Sequence, residues 1–218
     1  MKNIKEFYRA KYKGSLFVVK AGGRVITDEE SRNSLLADIK DLTDSGIKVL
    51  LVYGGGHAID DALKAANVET RKVDGRRVTT ADSIAVIQKV MAGDLGFRIS
   101  RSMATLGLHG LALSNIPANW GELAFREREN PDDYGYDGFI KAVFAEDIHK
   151  IFEATSFIAC PCTGVSEKSA VNINADNVAV ALAEGIHARK LIFLSDVDGV
   201  MKDGQMIPLI TDLSLIHI

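Results

Sequence analysis

Five short stretches carry side chains that could act on a phosphate or a carboxylate. Lys20 closes the apolar run FVVK and precedes Gly22 and Gly23, so an ammonium stands where the backbone can also approach a ligand closely. It is a candidate phosphate ligand, with a surface lysine at a turn as the plain alternative. Gly54, Gly55 and Gly56 lie between an apolar run and a helix-like stretch, leaving backbone N–H groups unobstructed at a helix N-terminus, where partial positive charge favours an anion. The spacing matches neither the P-loop nor the G-x-G-x-x-G dinucleotide fingerprint, so phosphate binding is implied by neither of the commonest motifs.

The other three stretches are weaker taken singly. Arg76 and Arg77 precede Val78 and Thr79, and one guanidinium could hold a carboxylate in a bidentate manner; a solvated pair is the alternative. Asn172 and Asn174 alternate along a strand end and point the same way, with Asp176 in the first turn of the following helix. Asn174 can cap that helix. Asp176 could order nearby lysines or a metal ion, or simply stabilise the helix start. Ser195, Asp196, Val197, Asp198 and Gly199 follow the apolar run LIFL; a nucleotide's ribose and phosphates could lie over this turn, and a solvated turn is the alternative. A calcium loop is excluded there, because the ligand, glycine and glutamate positions do not fall at their places.

The elements that must carry these residues follow from the apolar pattern. Strands are expected at 15–20, 47–53, 108–113, 139–144, 157–161, 170–173 and 190–194. Helices are expected at 29–45, closed by Gly46, at 57–66, from Thr80 as cap to Met91, at 95–106, at 146–154 and at 175–184. Residues 69–79 read as polar and mixed, and Pro117–Gly138 as a solvated loop, a hairpin or a lid. Strand, helix, strand, glycine turn, helix is the order of a right-handed parallel sheet covered on both faces, an α/β fold. Residues 1–14 hold Ile4, Phe7, Tyr8 and Tyr12 at helix-like spacing, either docked on the body or a second subunit, or frayed.

With 218 residues, 47% of them hydrophobic, the chain can bury an ordinary core. Its net charge of −3, with both signs interspersed, gives no electrostatic case for nucleic acid or an anionic membrane. No apolar run approaches a membrane span and the polar start lacks a signal sequence's apolar centre, so a cytoplasmic protein with small-molecule partners is expected. Cys160 and Cys162 flank Pro161; their tight spacing disfavours a disulfide, so buried free thiols are expected. A metal site there would need two further ligands, and no matching Cys or His pair exists.

Taken in order, VVKAGG, YGGGHAIDDAL, DGRRVT, YGYDG, VNINAD and LIFLSDVDGVMKDG resemble the amino acid kinase superfamily, and within it most closely the N-acetylglutamate kinases, over most of residues 4–212. The resemblance implies a three-layer sandwich with a mainly parallel central sheet, the carbamate kinase-like fold. It implies transfer of the γ-phosphoryl group of ATP, with Mg²⁺, to the side-chain carboxylate of N-acetylglutamate for arginine synthesis. Lys20 would stabilise the transferring group and Asp176 would orient the catalytic lysines. Gly55 and Gly56 would bind that group and the acceptor, with Gly22, Gly23 and Gly54 around the phosphates. Arg77 and Asn172 would hold the acceptor's carboxylate end. Ser195, Asp196, Val197, Asp198, Gly199, Val200 and Met201 would line the ATP site, and no residue is assigned to a protein-bound metal. Residues 15–185 would form the acceptor lobe, 186–212 the start of the ATP lobe, and IKEFY in 1–14 resembles the N-terminal helix of hexameric members, beside a homodimer formed through the acceptor half.

Several positions depart from the family pattern. Tyr53 replaces a histidine, His57 stands where proline is common, Gly96 and Phe97 replace an Asn–Lys pair, and LSNIPANW replaces an S-G-x-D-G turn. These bear on the acceptor more than on the kinase assignment. The family's second catalytic lysine, on a G-M-x-x-K segment, would lie beyond residue 212. Residues 213–218 match what a sequencing adapter encodes, so a truncated frame with an artificial tail and little activity is expected. Two other readings stay open: a sister kinase for another acidic substrate such as an aminoadipate derivative, and a non-catalytic module sensing a nucleotide or amino acid.

Overall fold

The computed structural model describes residues 2–73, 76–126, 135–167, 169–194, 199, 201–202 and 205–206. Its centre is a five-stranded sheet of β1 (Leu16–Ala21), β2 (Lys48–Tyr53), β5 (Leu111–Ala112), β8 (Phe157–Pro161) and β11 (Lys190–Leu194), in the order β11-β1-β2-β8-β5. Every pairing in it is parallel. Successive residues of a strand face opposite sides, and Val49 to Tyr53 are all fully buried, so both faces of β2 are covered. That is why KVLLVY is apolar without alternation. The helices α3 (Glu29–Asp44) and α8 (Ala175–Gly185) pack against the sheet, and α7 (Ala145–Ala154) buries Ile148 and Phe152. The expectation of an α/β fold with a mainly parallel central sheet holds.

Local signals set most of the boundaries. Asp28 caps α3 by accepting from the Ser31 N–H at 3.0 Å, and Gly46 follows with a left-handed φ of 79°. Thr80 caps α5 (Ala81–Gln88) through the Ser83 N–H at 3.2 Å. The expected break between α5 and the next helix does not occur. A π-helical segment, Lys89–Leu95, joins α5 to α6 (Gly96–Leu106) without interruption. Val90, Met91, Leu95 and Ile99 are buried along this joined helix.

A second sheet, in the order β6-β7-β10-β9, comprises β6 (Gly121–Phe125), β7 (Asp137–Val143), β9 (Thr163–Val165) and β10 (Ala170–Ile173). β6 and β7 pair antiparallel, so of the readings for Pro117–Gly138 the hairpin is the one observed; residues 127–134 lie outside the described residues. β9 was not expected, nor was the hairpin of β3 (Arg71–Val73) and β4 (Arg76–Val78). Both are short, and the hairpin strands are mostly polar, β3 exposed and β4 half-buried, so they lack the apolar run that marks a buried strand. β5 is shorter than the expected 108–113. A β-carbon at Gly110 would sit 2.6 Å from the Phe157 carbonyl oxygen, so the chain is already crossing close to β8 there.

At the other end, α1 (Lys2–Tyr12) docks by its last turn. Tyr12 meets Phe17 edge-on at 5.4 Å and the Lys190 ammonium lies 4.6 Å from the Tyr12 ring, whereas Phe7 and Tyr8 stay exposed. Cys160 and Cys162 are buried free thiols, as expected. Among the described residues, no helix is long and apolar enough to cross a membrane.

Candidate active site

The carboxyl edge of the parallel sheet gathers the separated turns. β1 ends at Ala21, and the Gly22 N–H donates to the Leu194 carbonyl at the end of β11, 3.3 Å away. The Gly54 N–H, just past β2, donates to the Ala21 carbonyl at 3.2 Å. Two glycine turns therefore leave adjacent strands side by side, each opening a helix: α2 (Gly23–Thr27), which was not expected, and α4 (Gly56–Ala65). A β-carbon on Gly23 would lie 2.8 Å from the Gly56 nitrogen, and one on Gly55 would meet the Met91 sulfur at 2.5 Å. Only glycine permits that approach. Gly56 is different: a β-carbon there would meet nothing within 4 Å.

Side chains hold this arrangement from outside. Arg32 is almost fully buried in the helix face that also carries Leu35, Leu36 and Ile39; it donates to the Ile26 carbonyl at 2.8 Å and to Ser102 at 3.0 Å. It thus ties the end of α2 to α6, while burial draws its pKa down. Arg24 of α2 donates from Nε to His57 Nε2 of α4 at 2.8 Å, stapling the two turns together and making His57 a hydrogen-bond acceptor. Tyr53, the other departure beside the glycines, points away from the cleft. Its hydroxyl donates to the Met91 carbonyl at 3.2 Å in the π segment, and burial pushes its phenol far above the ordinary range.

From β10 and α8 come the polar groups that face the glycines. Asn174 is the cap of α8, accepting from the Asp176 and Asn177 N–H groups at 2.9 and 3.2 Å. The Asp176 carboxylate in the first turn instead reaches across to the Lys20 ammonium at 2.8 Å. Half exposure of Asp176 makes this pair a minor stabiliser; its effect is to aim the lysine. Asn172 donates to the Thr79 hydroxyl at 3.1 Å. Arg77 is ion-paired with Asp60 of α4, and its Nη1 is buried without a hydrogen-bond partner among the described residues.

These groups line one cavity of about 270 Å³: Lys20, Gly22, Gly23, Gly54, Gly55, Gly56, Arg77, Asn172 and Asp176 all border it. Arg76, the other member of the arginine pair, also lines it, as do Lys72 and Asp137, which were not expected there. Lys72 lies in a polar stretch without any signal. Asp137 sits in YGYDG, where nothing local announces a buried acid. Four cationic side chains (Lys20, Lys72, Arg76, Arg77) face two carboxylates (Asp137, Asp176) across this space, so the cleft favours an anion. Of the expected nucleotide turn, Ser195, Asp196, Val197, Asp198 and Val200 lie outside the described residues. β11 ends at Leu194 beside Ala21, and Met201–Lys202 pairs with Gln205–Met206 in a short hairpin of β12 and β13.

Known proteins resemble this chain in sequence and in fold. The chain is 34% identical to an acetylglutamate kinase of Bacillus licheniformis over 199 residues, covering 91% of this chain and 75% of the relative. A solved structure from Streptococcus mutans, smu.665, superposes with a TM-score of 0.75 at 26% identity, over 87% of this chain and 76% of that one. An N-acetylglutamate synthase from Neisseria gonorrhoeae, solved with coenzyme A and N-acetyl-glutamate, superposes with a TM-score of 0.79 at 22% identity, over 93% of this chain and 46% of that one, and shows a shared fold. The model of the amino acid kinase family matches residues 15–217, and the chain belongs to that family.

Proposed function

We propose that this chain binds an acidic amino acid derivative and ATP in the cleft, and that the reaction it serves moves the γ-phosphoryl group to the side-chain carboxylate of N-acetyl-L-glutamate, a step of arginine synthesis. The observation that carries the reading is the Lys20–Asp176 pair at 2.8 Å, bordering the same cavity as Gly55 and Gly56. The name shared by relatives at 30 and 34% identity supports the acceptor.

In this reading an acceptor carboxylate oxygen attacks the γ-phosphorus, the bond from that phosphorus to the β–γ bridging oxygen breaks, and ADP leaves with the bond's electron pair. A carboxylate is ionised at neutral pH, so no proton has to move and no general base is needed. The chemical demand is compensation of the negative charges brought together. Lys20 meets it at the transferring group, held in place by Asp176. The Gly56 amide, at the start of α4 on the cavity wall, would approach the same group, and Arg77 would offer its unpartnered Nη1 to the acceptor's α-carboxylate beside Asn172. Mg²⁺ would supply further charge neutralisation. Among the described residues no group of three His, Cys, Asp or Glu is gathered for a metal.

Calorimetric titration of the purified protein with N-acetyl-L-glutamate tests the acceptor, and hydroxamate trapping of the acyl phosphate with ATP and a panel of N-acyl dicarboxylates tests the reaction. Binding of N-acetylglutamate that Arg77→Ala weakens is expected. No binding by any dicarboxylate would refute the reading. A homodimer belongs to the same proposal and is checked by light scattering.

A further inference from the structure

We propose that Asp137 selects the acceptor, its carboxylate taking a hydrogen bond from an N–H on the acceptor's α-nitrogen. This deepens the reading of the cleft as a carboxylate-kinase acceptor site and rests on it. Asp137 is only 3% exposed, yet borders the cavity with Arg77 and Asn172. It is the direct neighbour of Asn172 in the parallel β7–β10 ladder, so the two side chains leave the sheet on the same face.

Its Oδ2 is buried and has no hydrogen-bond partner among the described residues. Arg126 lies near, with Nε 3.2 Å from that oxygen. The distance makes an ion pair, but the N–H is not directed at the oxygen, and Arg126 Nε is itself buried without a hydrogen-bond partner. The guanidinium therefore offsets part of the charge without a well-directed hydrogen bond to that oxygen. With its amide oriented so that the oxygen faces them, Asn177 accepts from Arg76 at 3.3 Å and from Arg126 at 3.1 Å, which holds the two cations together near the acid. Burying a carboxylate oxygen with no donor is unfavourable, and a ligand in the cavity is what could supply one.

The nature of that donor follows from its companion. Two buried polar atoms belonging to residues of this cavity wall lack partners: a donor, Arg77 Nη1, and an acceptor, Asp137 Oδ2. A donor and an acceptor so placed complement a carboxylate on a carbon that also bears N–H, the α-carbon end of an amino acid or its N-acyl derivative. An acceptor with an ester oxygen in place of the N–H would leave Asp137 unpaired.

The test titrates N-acetyl-L-glutamate, L-glutamate and the O-acetyl ester of 2-hydroxyglutarate into the purified protein and into its Asp137→Leu and Asp137→Asn variants, with thermal melting as the check on folding. The wild type should bind N-acetylglutamate about tenfold or more tighter than the ester, the scale of a lost hydrogen bond to a buried charge. Asp137→Leu should bring the two within about twofold, and Asp137→Asn, which keeps an oxygen acceptor without the charge, should fall between. If Asp137→Leu does not fold, the Asn variant carries the comparison, and an undiminished ratio there overturns the proposal. Equal binding of amide and ester by the wild type, or the same ratio in all three proteins, overturns the role of Asp137 and leaves the acceptor site standing. Failure of the wild type to bind any of the three overturns both.

Discussion

Replacing Gly56 by alanine separates the glycines that folding needs from those a ligand needs. A β-carbon there meets no protein atom within 4 Å, and Gly56 is not among the residues with positive φ. The folded chain should therefore accept the methyl. Because alanine restricts the unfolded chain, stability should rise by about 0.4–1 kcal/mol, or roughly 1–4 °C in Tm for a domain of this size. Binding should move the other way. The methyl would stand in open space at the start of α4, on the wall of the cavity where the anion is proposed to sit. Loss of one hydrogen bond to a charged group costs about 1.5–3 kcal/mol, roughly ten- to a hundredfold in Kd. Gly23→Ala is the control, because its β-carbon would fall 2.8 Å from the Gly56 nitrogen. Backbone must shift there, so stability should fall by about 1–3 kcal/mol. Thermal melting and calorimetric titration with N-acetylglutamate read both variants. A Gly56→Ala protein that is as stable as the parent and binds as tightly would refute the assignment of that space to a ligand.

The remaining expectations follow from single contacts. Lys20→Ala should leave Tm within about 1 °C, since the pair with half-exposed Asp176 contributes little, while hydroxamate formation by the active enzyme should drop about a hundredfold or more; an unchanged rate would remove Lys20 from the mechanism. Tyr53→Phe should cost about 1 kcal/mol by deleting the bond to the Met91 carbonyl, with ligand affinity unchanged, because the hydroxyl points away from the cleft; weakened binding at unchanged stability would contradict that placement. Burial raises both thiols, Cys162 to about 12, so both should resist thiol reagents at pH 8 until the protein unfolds. Because the folded state holds these protons more tightly than an unfolded thiol of pKa about 8.5, their contribution to stability should decline as pH rises above that value; denaturant titration at pH 8 and pH 10 reads it, and equal midpoints would contradict it.

What could be read from the residues is what local chemistry dictates. Runs such as KVLLVY and FIACP become strands because, after any leading lysine, they are apolar and a short strand of a covered sheet buries them; KLIFL, apolar after its lysine, pairs alongside at the sheet edge. Thr80, Asn174 and Gly46 mark helix ends because each satisfies or releases backbone groups within a few residues. Lys20, the three glycines, Arg77, Asn172 and Asp176 were legible as candidates because charged or glycine-rich turns end those runs. The short hairpin of β3 and β4, the strand β9 and the π segment were not legible, since their pairing or widening answers to neighbours that the local pattern does not contain.

Tertiary structure alone decided which candidates meet. Lys20 and Asp176 are far apart in the chain and come to 2.8 Å only because β1 and α8 pack together. Tyr53 stands next to the glycines in sequence and yet turns to Met91, and Asp137, unremarkable in its motif, ends almost fully buried on the cleft wall. Capping and strand formation are settled within a few residues, whereas the direction and burial of a polar side chain depend on surfaces brought from elsewhere in the chain.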